Sequence, residues 1–339
     1  MNMSVLVDGR WKGRHGIGRY AAEVICRLRR SGVTVEEVTP FPLLHPLEPL
    51  WLSWRIAYRR PSVYFSPGFN PPSWSAAPFV FTIHDLVHLR FAGDYGLRQR
   101  IYYESVVRPA VRRAAVVLTD SEYSRSEILG WTRVPEHKVV VASPGVGEEF
   151  SPEVEPLRLP YDYFLYVGNR KPHKNVPRLL RAFATAPLNS RVRLVLSGDA
   201  DRETANLVNR LGLDGRVVFF GDVAESVLPR LYRGAIALVF PSLLEGFGLP
   251  PLEAMACGTP VVASDASSIP EVVGEAAIMV DPFDVEALAE AMRQVASDAS
   301  LRAGMAARGL KRANLFSWNG TADQILQELR AAAGEPKER

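Results

Sequence analysis

The stretch Ala235-Ile-Ala-Leu-Val-Phe-Pro-Ser-Leu-Leu-Glu-Gly-Phe-Gly-Leu-Pro-Pro-Leu-Glu-Ala254 decides the fold that this sequence predicts. It begins with an unbroken apolar run, which is typical of a strand buried on both faces of a parallel sheet. Pro250 and Pro251 favour a helix start, because proline fixes a helical φ and needs no backbone N–H there. Gly258 ends the helix before the next strand. The loop between strand and helix therefore lies at a carboxyl end, where α/β sheets bind ligands.

Two glutamates and two glycines give this loop its chemistry. Glu245 lies in the loop and Glu253 in the first helical turn, while Gly246 and Gly248 let the backbone approach a ligand closely. Helix N–H groups favour an anion such as a phosphate, and ionised carboxylates accept hydrogen bonds from hydroxyl groups. Together these features predict a nucleotide-sugar site. The residues alone leave an alternative open, in which the glutamates merely complement the helix dipole.

The segment Glu245-Gly-Phe-Gly-Leu-Pro-Pro-Leu-Glu253 resembles the E-x7-E motif of the retaining glycosyltransferases of family 4, which have the GT-B fold. The resemblance extends over nearly the whole chain and implies two Rossmann-like, doubly wound α/β domains facing an interdomain cleft. It implies an acceptor-side domain over residues 1–150 and a nucleotide-sugar-binding domain over residues 151–315. A C-terminal helix over residues 316–333 is expected to cross back to the first domain.

Length and composition argue against several other classes of protein. The 339 residues suffice for two domains, and the net charge of +3 is too small to indicate nucleic-acid binding. No apolar run approaches the roughly 20 residues that a membrane-spanning helix needs. The N-terminal residues lead straight into a strand without the features of a signal peptide, so we expect a cytoplasmic protein.

A glycine-bearing loop, Gly9 to Gly18, is predicted between the first strand and a helix that begins at Arg19. No third glycine completes a G-x-G-x-x-G pattern, which disfavours a dinucleotide site. Family members have a similar loop near the donor phosphates, and the resemblance implies that Gly16 and Gly18 have this role.

The buried strand Phe79 to Ile83 ends in the polar pair His84-Asp85. Polar residues at the carboxyl end of a parallel strand are where this architecture places function. The segment is similar to the T-x-H-D of the family, which implies that His84 contacts the transferred sugar and that Asp85 orients the loop or the histidine. A buried histidine with satisfied hydrogen bonds is the alternative interpretation.

Residues 88–113 form a longer connection than a plain crossover, and arginines alternate there with aromatic and aliphatic residues. The arginines are Arg90, Arg98, Arg100, Arg108, Arg112 and Arg113. A basic, aromatic helical stretch can lie on an anionic membrane surface. Because similar enzymes turn this region towards the acceptor, we expect peripheral contact with the inner face of the cell membrane. An ordinary solvated helix is the alternative.

Basic residues follow the strand Tyr163 to Val167 in the second half of the chain. Fixed cations at that place can stabilise a leaving diphosphate. The family has a similar Arg/Lys pair that grips the diphosphate, and the resemblance implies this role for Arg170 and Lys174. The arginine of the family directly follows the glycine, whereas Asn169 takes that position here and Lys174 keeps the usual spacing. A solvated basic turn is the alternative.

The resemblance implies a retaining hexosyltransferase in which Glu253 binds the nucleotide ribose and Glu245 contacts the transferred sugar. The implied donor-binding residues are Gly16, Gly18, Arg170, Lys174, Glu245, Gly246, Phe247, Gly248, Leu249 and Glu253. The implied catalytic residues are His84, Arg170, Lys174 and Glu245. No DxD motif is obvious, and the two cations can supply the charge, so we expect no metal ion and no other cofactor.

Two segments, Tyr166 to Asn175 and Phe81 to Asp85, resemble mannosyltransferases of bacterial surface polysaccharides. The expected donor is therefore GDP-mannose, and the expected acceptor is a saccharide or a lipid-linked saccharide in polysaccharide or glycolipid synthesis. A transferase of the same fold that uses a UDP-hexose or dTDP-rhamnose is an alternative, as is a non-catalytic nucleotide-binding scaffold. A sugar-nucleotide epimerase is disfavoured, because that class lacks E-x7-E together with the Arg/Lys loop.

Overall fold

The computed structural model describes residues 3–11, 13, 16–39, 41–42, 44–91 and 96–335. Residues 12, 14 and 15 of the predicted glycine loop and residues 92–95 of the arginine-rich connection lie outside the described residues. The chain divides into two compact units. Unit 1 is Met1–Gly145 with Ser317–Arg339, and unit 2 is Val146–Phe316. The C-terminal helix thus belongs to unit 1.

The described residues of unit 1 form a six-stranded parallel sheet. Its strands are β1 (Ser4–Asp8), β2 (Thr34–Val38), β3 (Val63–Ser66), β4 (Phe79–Thr82), β5 (Val116–Thr119) and β6 (Val139–Val141). The spatial order is β2-β1-β3-β4-β5-β6. The order reverses between β1 and β3, so the loops that follow these strands diverge and leave a crevice at the carboxyl edge.

Helices cover both faces of this sheet. They are α1 (Gly16–Arg30), α2 (Glu48–Arg59), α3 (Val87–Arg90), α4 (Leu97–Tyr102), α5 (Arg108–Arg113), α6 (Glu122–Thr132) and the C-terminal helix. A π-helical turn, Tyr103–Val107, joins α4 to α5. Helix α1 and the C-terminal helix pack on one face, whereas α2 and residues 102–111 pack on the other. The described residues of the predicted arginine-rich stretch therefore form several short helical segments, and residues 102–111 pack on a single sheet face.

The start of α1 differs from the prediction. Gly16 and Gly18 lie in the first turn of the helix, not in the loop before it. A Cβ atom on Gly18 would lie 2.5 Å from the carbonyl oxygen of Gly13, so only glycine permits this close approach of loop and helix. The role of the two glycines in donor binding stays a prediction.

Unit 2 repeats the architecture with a second six-stranded parallel sheet among its residues. Its strands are β7 (Tyr163–Tyr166), β8 (Arg193–Leu196), β9 (Val217–Phe219), β10 (Ala237–Phe240), β11 (Val261–Ser264) and β12 (Ile278–Val280). The order β12-β11-β10-β7-β8-β9 is that of a Rossmann sheet, and it reverses between β7 and β10.

The helices of unit 2 complete two buried layers, one on each face of its sheet. They are α7 (Val176–Thr185), α8 (Arg202–Arg210), α9 (Leu228–Gly234), α10 (Leu249–Ala256), α11 (Ile269–Val273), α12 (Val285–Ser297) and α13 (Ala299–Ala313). The predicted unit of strand, loop, helix and strand is confirmed as β10, α10 and β11. In the described part of the chain, no helix is both long and apolar enough to cross a membrane.

The C-terminal helix α14 (Trp318–Ala332) is fixed to unit 1 at its first turn. Thr321 Oγ1 donates a hydrogen bond to the carbonyl oxygen of Ser143 at 2.6 Å, and the buried Trp318 ring packs edge-on against Tyr20. Gly145 passes so close that a Cβ atom there would clash with the backbone nitrogen of Trp318. Because backbone cannot move aside as a flexible side chain can, this contact depends on glycine.

We expect Gly145→Ala to lower the free energy of unfolding by about 1–3 kcal/mol, the usual cost of overpacking. Gly130→Ala is the matched control, because Gly130 lies in α6 with open space where a Cβ atom would be added, and the change raises helix propensity by up to about 1 kcal/mol. Thermal unfolding of both variants tests this. A Gly145→Ala protein as stable as the wild type would contradict the packing of α14 described above.

Candidate functional site

An ion pair joins the loops that follow β7 and β10 at the carboxyl edge of the unit 2 sheet. Lys174 Nζ lies 2.7 Å from Glu245 Oε1 and 2.9 Å from Glu245 Oε2. Because the strand order reverses between β7 and β10, the pair lies in the crevice where open α/β sheets bind ligands. The structure thus brings together two of the residues that were predicted from the sequence.

The pair is largely shielded from water. The side chains are 15% exposed for Lys174 and 12% exposed for Glu245. Removing two charges from water costs on the order of several kcal/mol, and apolar residues of similar volume often serve a fold equally well. The stability of the fold therefore does not explain why a lysine and a glutamate lie here. Binding of a ligand explains these two charged residues better.

Two serines hold the Glu245 loop in one conformation. The backbone N–H of Glu245 donates to Ser267 Oγ at 3.0 Å. Ser268 Oγ lies 3.0 Å from the carbonyl oxygen of Glu245 and 2.9 Å from that of Phe247. Neither serine is predicted from the sequence to belong to the site, although both follow β11, the neighbour of β10. The sequence signal that could have indicated them is that they follow β11, the parallel strand next to β10.

Asn175 ties the Lys174 turn to two other loops. It is buried, has a left-handed φ of 60°, and its Nδ2 donates to Pro241 O at 3.0 Å and to Pro282 O at 2.7 Å. Asparagine suits the place because it tolerates this backbone conformation and offers two amide donors. The position of Lys174 is thereby fixed relative to the loop after β10.

The start of α10 offers fewer hydrogen-bond donors than a helix start usually does. Of its first three residues, Leu249, Pro250 and Pro251, only Leu249 has a backbone N–H. Gly248 precedes the helix with a φ of 114°, which favours glycine. The expectation that N–H groups of this helix bind a phosphate therefore rests on few donors and stays a prediction.

Glu253 lies on α10 and is buried, with 4% of its surface exposed. Its Oε2 accepts a hydrogen bond from the Tyr232 hydroxyl at 2.9 Å. A buried carboxylate is expensive without donors, so the tyrosine helps to stabilise it. The predicted contact of Glu253 with a ribose stays a prediction.

Arg170 is held by the loop after β8. Its guanidinium donates to the carbonyl oxygens of Asp199, Ser197 and Gly198 at 2.7, 3.0 and 3.2 Å, and Nε lies 3.5 Å from Asp201 Oδ2. The predicted pairing of Arg170 with Lys174 on a diphosphate stays a prediction.

In unit 1, His84 is held by acceptors on both ring nitrogens. Nδ1 lies 2.8 Å from Asp120 Oδ2, and Nε2 lies 2.9 Å from the carbonyl oxygen of Pro67. Carbonyl and carboxylate oxygens only accept hydrogen bonds, so the geometry favours an imidazolium beside an ionised Asp120. Burial lowers the pKa of His84, but the charge and hydrogen bond of Asp120 outweigh it, and the pKa lies above its ordinary value. Burial also raises the pKa of Asp120 by more than the charge and hydrogen bond of His84 lower it.

The partner that orients His84 is Asp120, not the neighbouring Asp85. Asp85 Oδ1 accepts from the backbone N–H of Val87 at 2.9 Å and so orients its own loop, one of the two roles expected for it. Ser124 Oγ donates to the His84 carbonyl oxygen at 3.1 Å. A sugar contact through His84 Nε2 would require the hydrogen bond to Pro67 to open, and that contact stays a prediction.

No group of three or more His, Cys, Asp and Glu residues in the described ranges is arranged to hold a metal ion. The acidic residues of the candidate site have side-chain hydrogen-bond donors as partners. Glu245 pairs with an ammonium group and Glu253 with a phenol. The chemistry that the described side chains support is recognition of hydroxyl groups and of an anion.

Two family models match the chain. Residues 148–312 match the model described as Glycosyl transferases group 1, and residues 37–150 match the model described as Glycosyltransferase Family 4. O-antigen chain mannosyltransferase B of Escherichia coli is 35% identical over 314 residues, which cover 88% of this chain and 80% of that protein. The serotype-specific mannosyltransferase WbdA of Escherichia coli is 31% identical over 282 residues, which cover 77% of this chain but 34% of WbdA.

The fold is shared with a solved structure as well. Sucrose-phosphate synthase from Thermosynechococcus elongatus superimposes with a TM-score of 0.81 at 22% identity, and the match covers 98% of this chain and 99% of that chain. This likeness and the two parallel sheets confirm the predicted GT-B fold.

We expect the stability of unit 1 to fall as the pH rises above the ordinary histidine pKa of 6.5. Folded His84 keeps its proton at pH values where the unfolded chain has lost it, so the stabilisation is complete below 6.5 and is lost as the pH passes the higher folded-state pKa. Melting temperatures measured against pH test this, with His84→Gln as the variant in which the fall should be smaller. Equal pH dependence in both proteins would contradict the ion pair.

Proposed function

Because the chain belongs to the group 1 glycosyltransferases and to glycosyltransferase family 4, we propose that it transfers mannose from GDP-mannose to a saccharide or lipid-linked acceptor. The observation that carries the proposal is the Lys174–Glu245 pair in the crevice between β7 and β10. Mannose is the proposed sugar because similar proteins are named O-antigen mannosyltransferases. Polysaccharide synthesis is accordingly the proposed setting.

The proposed donor contacts follow from the chemistry of each group. Glu253 would accept hydrogen bonds from the ribose hydroxyl groups, and Glu245 would accept them from hydroxyl groups of the sugar. The backbone N–H groups of Gly246 and Phe247 would help to place that sugar. Lys174 has three N–H donors, so it could hold a diphosphate oxygen as well as Glu245, and it would offset the charge that develops as the diphosphate leaves.

We propose that the reaction retains the anomeric configuration. The acceptor hydroxyl would attack the anomeric carbon on the face that the diphosphate leaves, the bond to the diphosphate oxygen would break, and a diphosphate oxygen would take the hydroxyl proton. In this scheme Glu245 positions the sugar and does not act as the nucleophile. The Lys174 ammonium group holds both of its carboxylate oxygens, which makes them poorer nucleophiles. The cation Lys174 can serve where other enzymes use a metal ion, and we therefore propose metal-independent transfer.

We expect Lys174→Met to lower kcat for transfer from GDP-mannose about 100-fold or more in the presence of EDTA, because a preorganised charge at the leaving group is lost. Lys311→Met is the matched control: it removes a lysine from the exposed surface of α13 and should leave kcat unchanged. Wild-type activity in Lys174→Met would contradict the assigned role.

The same assay tests the choice of donor. Transfer from a UDP-hexose or from dTDP-rhamnose but not from GDP-mannose would contradict the proposed donor. GDP binding without transfer to any acceptor would favour the alternative of a non-catalytic scaffold.

We further propose that unit 1 contacts an anionic lipid surface through residues 88–113 and α2. Leu50, Trp54 and Tyr58 recur at helical spacing on α2, and each is more than half exposed. Trp74 is also more than half exposed and lies beside the helix, since its backbone N–H donates to Ser53 Oγ at 3.0 Å. We call Leu50, Trp54, Tyr58 and Trp74 the α2 stripe.

The charge around the α2 stripe fits an anionic partner. Arg55 and Arg59 lie on α2 and share Glu36 as an ion-pair partner, and Arg60 directly follows the helix, so the basic groups outnumber the acidic one. The Arg59 guanidinium lies 5.9 Å from the Tyr58 ring centroid. Leu97 and Ile101 of α4 are exposed as well, and residues 102–111 that continue α4 pack on the same sheet face as α2. Aromatic residues flanked by arginines are typical of surfaces that lie at a membrane interface.

We expect Trp54→Ser with Tyr58→Ser to weaken binding to phosphatidylglycerol vesicles about tenfold or more, because two aromatic side chains no longer leave water. Phe283→Ser removes an exposed aromatic residue from unit 2 and should leave vesicle binding unchanged. Sedimentation with phosphatidylglycerol and phosphatidylcholine vesicles measures both effects. The proposed contact would be contradicted if the double variant bound phosphatidylglycerol vesicles as tightly as the wild type. Equal binding of the wild type to phosphatidylglycerol and phosphatidylcholine vesicles would contradict it as well.

A further inference from the structure

Tyr232 places its hydroxyl group on the carboxylate of Glu253 beside a largely apolar core layer of unit 2. The tyrosine is fully buried on α9, and its hydroxyl lies 2.9 Å from Glu253 Oε2. The surrounding core consists of residues such as Leu231, Leu252 and Val261. A phenylalanine would fill the same volume in such a layer, so packing alone does not account for the hydroxyl group.

The position of Tyr232 is set by contacts that do not involve Glu253. Its ring lies edge-on to Phe150 with the centroids 6.0 Å apart. Its carbonyl oxygen accepts a hydrogen bond from Thr259 Oγ1 at 2.8 Å. The phenol ring is therefore held in place by contacts other than its hydrogen bond to Glu253.

A fixed donor on one carboxylate oxygen restricts how the whole group can turn. The bond from a phenol to a carboxylate is charge-assisted and stronger than a neutral hydrogen bond. It therefore favours one rotamer of Glu253 over the others that α10 would allow. A ligand that hydrogen-bonds this carboxylate then loses less free energy in ordering it, which is the benefit of preorganisation.

We infer that Tyr232 is a positioning residue that holds Glu253 in the orientation that receives the nucleotide ribose. This inference rests on the proposed function, in which Glu253 binds that ribose. Tyr232 itself need not touch the donor. Its effect would be on binding shared by the ground state and the transition state, so KM for the donor should change while kcat stays close to its wild-type value.

Tyr232→Phe tests the inference. We expect its Kd for GDP and its KM for GDP-mannose to rise roughly tenfold to hundredfold, as for the loss of a hydrogen bond to a charged group. Tyr163→Phe is the matched control, because the Tyr163 hydroxyl is buried in the same layer but donates to the Leu231 carbonyl oxygen at 2.8 Å. That control can lose thermal stability but should keep its nucleotide affinity.

A double-substitution cycle separates positioning from general destabilisation. In a Glu253→Ala background, Tyr232→Phe should cause little further loss of affinity, since the oriented group is gone. Wild-type affinity in Tyr232→Phe, or equal losses in Tyr232→Phe and Tyr163→Phe, would overturn the inference and leave the proposed function standing. If the wild-type protein binds none of GDP, UDP, ADP and dTDP, the proposed function fails, and this inference fails with it.

Discussion

The ion pair between Lys174 and Glu245 is the constraint on which the candidate site of unit 2 depends. The two residues are 71 positions apart and meet because β7 and β10 are neighbours at the place where the strand order reverses. Asn175, Ser267 and Ser268 fix the two loops on either side of the pair. The fold thus holds two partly buried charges at the edge of the sheet, where they serve ligand binding better than stability.

Unit 1 uses the same principle with different residues. His84 follows β4 and Asp120 follows β5, and these adjacent strands bring the imidazole and the carboxylate to 2.8 Å. In both units a charge pair spans two neighbouring strands at their carboxyl ends. The pairs differ in how their groups are used: both ring nitrogens of His84 already have protein acceptors, whereas Lys174 keeps N–H donors beyond those on Glu245. This difference makes the unit 2 pair the better candidate for direct contact with a donor.

Much of this organisation can be predicted from local sequence. Buried parallel strands such as β10 read as continuous apolar runs, and the prolines at 250 and 251 and the glycine at 258 indicate the ends of α10. Glu245 and Lys174 are recognisable because each follows such a strand. Asp120 and the serines after β11 could not be assigned, since their role depends on which strands become neighbours. The direction of Arg170 likewise depends on carbonyl groups of the loop after β8, which carry no sequence signal.

A crystal structure of the protein with bound GDP-mannose would be the decisive test of the candidate site. We expect a diphosphate oxygen within hydrogen-bond distance of Lys174 Nζ, a sugar hydroxyl group on Glu245 and the ribose hydroxyl groups on Glu253. A nucleotide sugar bound elsewhere on unit 2, with the Lys174–Glu245 pair and Glu253 out of contact with it, would contradict the roles proposed for these three residues.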